Sequence, residues 1–137
     1  MHRRAFACLA LFTIGLLGML LGCSGNDKSA EVLGIITVDG DPPEKGSISF
    51  IPEDGRSTTE GGIIENGKYT AKSSVGMMKV QIRVSKVTGK KQLYNDKESQ
   101  FIPTYGEVLP KKYNDQTELR LDVKPGRQEK NWELSTK

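Results

Sequence analysis

Few residues of this chain are equipped for chemistry. In 137 residues there is one histidine, His2, and there are two cysteines, Cys8 and Cys23. A Ser or Cys nucleophile needs an imidazole or similar base beside it. Zinc sites draw mainly on the same two scarce residue types. Carboxylates remain. Asp39, Asp41 and Glu44 fall in one stretch and offer oxygen ligands, but without the spacing of a calcium loop. Glu53-Asp54 is a second acidic pair, and both sets sit where acidic residues build turns for local reasons. Glycosidase-type hydrolysis needs carboxylates lining a cleft, which turns do not supply. Tyrosines are the other resource. Tyr94, Tyr105 and Tyr113 share one stretch with Lys90, Lys91, Lys111 and Lys112. An aromatic and basic loop can hold an acidic glycan or a partner protein. The other reading is that Tyr105 and Tyr113 pin the loop to the domain while the lysines stay solvated. The candidate ligand-binding residues are Tyr94, Tyr105, Tyr113, Lys111 and Lys112. No catalytic residue, metal site or cofactor is expected.

The first residues have a different task. Met1-His2-Arg3-Arg4 precedes an apolar run from Ala5 to Leu21, the layout of a secretory leader. The run is barely long enough to span a bilayer, which takes about 20 apolar residues. It ends in Leu20-Leu21-Gly22-Cys23. That phrase resembles the bacterial lipobox, in which a lipid is attached to the Cys thiol and cleavage leaves the acylated Cys first. The resemblance implies a signal peptide at 1–22 and lipidation at Cys23. In such lipoproteins an Asp after the Cys retains the protein in the inner membrane. Ser24 stands there, so the outer membrane is favoured over the inner.

Processing would change the charge balance. The chain carries 20 basic and 17 acidic residues, net +3; without Arg3 and Arg4 the balance becomes 18 against 17. A near-neutral surface gives no electrostatic case for nucleic acid. Removal of His2 and Cys8 leaves no histidine and a single, lipidated cysteine, hence no internal disulfide. Ser24 to Ala30 is small and polar, a flexible tether composition. The organisation expected is a leader at 1–22, a lipidated tether at 23–30 and one domain at 31–137.

That domain reads as strands. Val32, Gly34, Ile36 and Val38 alternate up to Asp39-Gly40, and Ile48 and Phe50 alternate with serines before Pro52. Asn66-Gly67 suits a type I′ hairpin turn between 61–65 and 68–71. Met78, Val80, Ile82 and Val84 alternate with polar residues, which puts all four on one face of a strand. Leu119, Leu121 and Val123 alternate before Pro125-Gly126, which fits a type II turn. Trp132 and Leu134 then alternate on a returning strand. About seven strands without a helical period predict an all-β antiparallel sandwich with Greek-key links. Phe50, Val80, Ile82, Val84, Leu121 and Trp132 are its expected core. Thr88 to Gln116 breaks the rhythm and reads as a long loop. Within it Phe101 and Ile102 are expected to dock on the core, and 95–100 to form one helical turn.

The phrase Gly34-Ile35-Ile36-Thr37-Val38-Asp39-Gly40-Asp41-Pro42-Pro43, followed by Gly46-Ser47-Ile48-Ser49-Phe50, is similar to the opening of carboxypeptidase regulatory-like domains. Asn66-Gly67-Lys68-Tyr69 resembles their hairpin, and Gly76 before a long alternating strand resembles a later phrase, with Met77 in place of the usual aromatic. Leu109 through Tyr113, with Gly126 and Trp132-Glu133-Leu134, looks like a subgroup in exported lipoproteins of planctomycete-type bacteria. The resemblance implies a seven-stranded, transthyretin-like (prealbumin-like) sandwich, non-catalytic in the carboxypeptidases. A hydrolase of that fold uses histidines and a Tyr-Arg-Gly-Ser ending, and this chain matches neither. The expectation is a non-enzymatic cell-envelope lipoprotein with an interaction or structural module, held to the membrane by its lipid. The alternative is capture of a glycan or peptide through the 88–116 loop.

Overall fold

The computed structural model describes residues 28–95 and 98–137. The leader 1–22, Cys23 and most of the tether lie outside the described residues, as do Asp96 and Lys97 within the expected helical turn. The described chain is nearly all β, with nine strands in one mixed, unclosed sheet and no α-helix. In chain order these are β1 (Ser29–Val38), β2 (Lys45–Pro52), β3 (Glu60–Glu65), β4 (Lys68–Ser74), β5 (Gly76–Gln92), β6 (Phe101–Glu107), β7 (Arg120–Val123), β8 (Gly126–Glu129) and β9 (Trp132–Leu134). A single 3₁₀ turn, Lys111–Tyr113, lies between β6 and β7. β1 starts two residues before the boundary expected at Glu31, and Ala30 is already buried.

The sheet order is β6-β5-β2-β3-β4-β1-β8, with β7 also against β5 and β9 also against β1. Alternation builds its centre. Val80 pairs with Phe50 and Ile82 with Ile48 across β5 and β2. All four side chains are buried, in a cluster that takes residues from β1, β2, β3, β4, β5, β7 and β9. Neighbouring side chains across such pairs are what stabilise a sheet. The six expected core residues all belong to this cluster. Asn66 and Gly67 both have positive φ, 49° and 74°, as a type I′ turn demands.

Two expectations need correction. The sheet is mixed rather than antiparallel, and it has nine strands rather than seven. β8 and β9 run parallel to β1. Pro125-Gly126 therefore does not close a hairpin; it carries the chain from β7, beside β5, to β8, beside β1. Between β8 and β9 the backbone kinks at Lys130-Asn131. The Lys130 N–H donates to the Leu33 carbonyl at 2.8 Å, and the Ile35 N–H donates to Asn131 Oδ1 at 2.8 Å. Gly34 admits this contact, since a Cβ there would stand 2.0 Å from the Lys130 carbonyl oxygen. β6 and β8 have no buried face, and so no alternation in sequence announces them.

The second correction concerns residues 88–116. β5 continues through Gln92, and Phe101–Glu107 returns along it as β6. The first two-thirds of the expected loop is thus the distal part of a two-stranded ribbon. Phe101 and Ile102 do not dock on the core; they are 64% and 42% exposed.

Candidate functional site

The ribbon is the feature of the molecule that its core does not require. Beyond Val84, β5 has left β2 and pairs with β6 alone. The pairs are Ser85 with Glu107, Val87 with Tyr105, Lys90 with Pro103 and Gln92 with Phe101. Directly paired residues share a face, so Val87, Tyr105, Pro103 and Phe101 line one side. A bulge between Val87 and Gly89 keeps that face in phase by absorbing Thr88. Pro103 lies in an edge strand, the position in a sheet where a missing N–H is tolerated.

A carboxylate fixes the root of the ribbon. Glu107 Oε1 accepts the N–H groups of Val84, Val108 and Leu109 at 3.0–3.1 Å. Its other oxygen lies 3.9 Å from the Arg83 guanidinium, which also pairs with Asp115. Leu109 is buried, so the chain plunges into the core immediately after the ribbon ends. Glu107 satisfies the backbone groups exposed by that change of direction.

Two adjoining depressions flank the root. One, of about 540 Å³, lies between the Pro42-Pro43 loop and Val87. The other, of about 670 Å³, lies over Ser47 and Arg83. Lys45, Ser85 and Tyr105 border both, so Tyr105 is the wall of a continuous groove. The groove has a Tyr face, Ser hydroxyls and charges of both signs, a surface for holding a ligand by stacking and hydrogen bonds.

The expected site residues divide into two groups. Tyr94, 68% exposed, and Tyr105, 59% exposed, are on the ribbon. Tyr105 therefore does not pin a loop to the core. Tyr113 does: it is half-buried against the core, and its hydroxyl accepts the Ser135 N–H at 3.3 Å. Lys112 lies over the Tyr113 ring and donates to the carbonyl of Lys137 at 3.2 Å. Lys112 and Tyr113 thus serve the C-terminal segment rather than the ribbon, and Lys111 is the exposed first residue of the 3₁₀ turn that carries them. The residues that reasoning from sequence missed are Lys45, Arg83, Lys86 and Val87. Lys86 and Val87 lie on a solvated ribbon that leaves no alternation to read, whereas Lys45 and Arg83 belong to the solvent side of regular strands and only the fold brings them beside Tyr105.

The acidic stretch gathers no metal set. Asp39 instead accepts the N–H and hydroxyl of Thr136 at 3.1 and 2.5 Å. Those bonds hold its carboxyl below the usual carboxylate range. Among the described residues no three His, Cys, Asp or Glu side chains converge to hold a metal ion. No protein-family model matches the chain, and neither a curated protein nor a solved structure is similar to it.

Proposed function

We propose that this protein is a non-enzymatic cell-envelope lipoprotein, anchored through acylated Cys23, whose β domain docks a partner along the β5–β6 ribbon. One observation carries the docking. Of the nine large apolar side chains that stand exposed among the described residues, Val87, Leu93, Tyr94, Phe101, Ile102 and Tyr105 are all on the ribbon or beside its turn. Such a concentration on a projecting element marks an interaction surface. The finer architecture belongs to the same reading: a transthyretin-like, Greek-key sandwich related to carboxypeptidase regulatory-like domains. The single buried cluster shared by β5 and β1, the strands next to the two edges of the sheet, supports it.

A second reading rests on the groove beside Tyr105, which has room for a sugar or peptide unit. In either case the described surface is used for binding. Two experiments test the proposal. Fatty-acid labelling should mark the wild type and not Cys23→Ser, and intact mass of the extracted wild type should show residues 1–22 removed. Phe101→Ala with Tyr105→Ala should abolish capture of envelope components by the full chain while leaving its fold intact. A leader still attached would refute the anchor. Undiminished capture by the double variant would remove the ribbon from the function.

A further inference from the structure

The groove and the ribbon face are one surface. It runs from Ser47 and Arg83, past Tyr105 and Val87, to Pro103 and Phe101. Arg83 to Gln92 spans ten residues of strand, roughly 30 Å at 3.3 Å each. Its width is two strands. A strip of these proportions fits a linear occupant better than a globular face.

Charge narrows the choice of occupant. Lys45 and Lys86 border the groove opposite Asp41 and Glu44, so the excess of positive charge lies on the ribbon, whose strands carry Lys86, Lys90 and Lys91 against the one carboxylate of Glu107. None of these lysines is in the ion pairs formed among the described residues. That carboxylate is engaged by Arg83 and three backbone N–H groups. Two copies packed ribbon to ribbon would bring lysines together. A flat bilayer would not enter the groove, and the turn beyond Gln92 is polar from Asn95 to Gln100. Strand addition at the β6 edge is opposed by Pro103, which offers no N–H.

We infer that this strip docks an extended, acidic segment of another protein, laid across the ribbon face with apolar side chains at every second position. Alternate residues of an extended chain repeat about every 6.6 Å, twice the rise per residue. Phe101, Pro103 and Tyr105 repeat at the same interval along β6. The acidic side chains between them reach the flanking lysines. The inference deepens the docking reading and rests on it.

The probe is a labelled ten-residue peptide alternating Glu with Val and Phe. It is offered to the full chain in nanodiscs of zwitterionic lipid, beside a Lys-for-Glu peptide, oligogalacturonate and anionic vesicles. The acidic peptide should bind best, and added salt should weaken it. Lys86→Glu with Lys90→Glu should lower its affinity at least tenfold, as should Phe101→Ala with Tyr105→Ala. The lysine variants change exposed residues only, so they separate lost docking from lost fold. Ile35→Ala, at an exposed apolar residue on β1 away from the strip, should change nothing. Equal binding of the acidic and basic peptides overturns this inference, even if the ribbon variants still lose partner capture and so leave the docking reading standing. Tighter binding of oligogalacturonate or of the vesicles overturns it in favour of a glycan or a lipid surface.

Discussion

Tyr69 shows how one side chain joins elements that are distant in sequence. Its hydroxyl donates to the Lys130 carbonyl at 2.7 Å and accepts from the Trp132 indole at 3.3 Å. The first bond caps the kink between β8 and β9; the second orients the core tryptophan. Burial pushes the Tyr69 phenol up to about 12. Because the folded value lies above the unfolded one, the native state keeps its proton longer. Stability that is fully present below about pH 10 should therefore fall as pH rises toward 12. A tyrosinate absorbance step near pH 12 should be present in the wild type and missing in Tyr69→Phe. The same substitution leaves a buried carbonyl and indole N–H without partners, which should cost about 1–3 kcal/mol in urea unfolding. Asp39 has the opposite sign. Its carboxyl is held below 3.8 chiefly by the Thr136 hydroxyl. The clasp it makes on the C-terminal segment is present above that value and should be lost as pH falls through the folded one. The protection of the Thr136 amide, its exchange relative to an unstructured amide at the same pH, should fall from pH 5 to pH 2 in the wild type. In Asp39→Asn that protection should be low throughout.

Elements differ in how much of themselves they write into the sequence. β5 was legible up to Val84 because one of its faces is buried and the other solvated, which imprints a period of two. Ile82 lies at the centre of that buried face with no exposure. Ile82→Ala should destabilise the fold by about 2–5 kcal/mol through the cavity it leaves, measured by denaturant unfolding. From Ser85 onward the strand is exposed on both faces, so its sequence carries no period, and the ribbon read as a loop. β8 was invisible for the same reason. β9 was legible as a strand, since Trp132 and Leu134 both face inward, but alternation names a face and not a neighbour. Its parallel pairing with β1 depends on Gly34 and Asn131, residues far from it in sequence or outside the strand. The candidate site was half legible. Tyrosines and lysines drew attention to the right stretch, yet Lys112 and Tyr113 serve the C-terminal segment and Lys111 stands off the ribbon, on the 3₁₀ turn. Glu107 was not singled out, because its role comes from three N–H groups that only the fold brings together. Glu107→Ala should leave the core intact and loosen the ribbon. Amide exchange at Val84, Val108 and Leu109 should speed up, with little change in exchange at Val80 and Ile82.

At the scale of the molecule, β5 sets a direction. The chain comes into the domain beside the start of this strand, where the Val75 N–H donates to the Lys28 carbonyl at 3.0 Å. The ribbon turn is at the strand's other end. β5 has 17 residues, so the two ends lie up to about 55 Å apart at 3.3 Å per residue, less whatever the twist takes up. Only four residues separate Cys23 from Lys28, and the five steps between them reach at most about 18 Å. A lipid on Cys23 would thus hold the start of β5 near the bilayer and leave the ribbon facing away from it. The arrangement favours a partner in the space beyond the membrane over one lying in its plane. It also makes a measurable prediction for the acylated full chain in vesicles. A fluorophore on Ser74→Cys, at the membrane end, should be strongly quenched by nitroxides on lipid headgroups. The same fluorophore on Gln100→Cys, beside the ribbon turn, should be quenched far less. Equal quenching would mean that the domain lies flat, with its docking face turned along the bilayer, and the direction inferred from β5 would then be wrong.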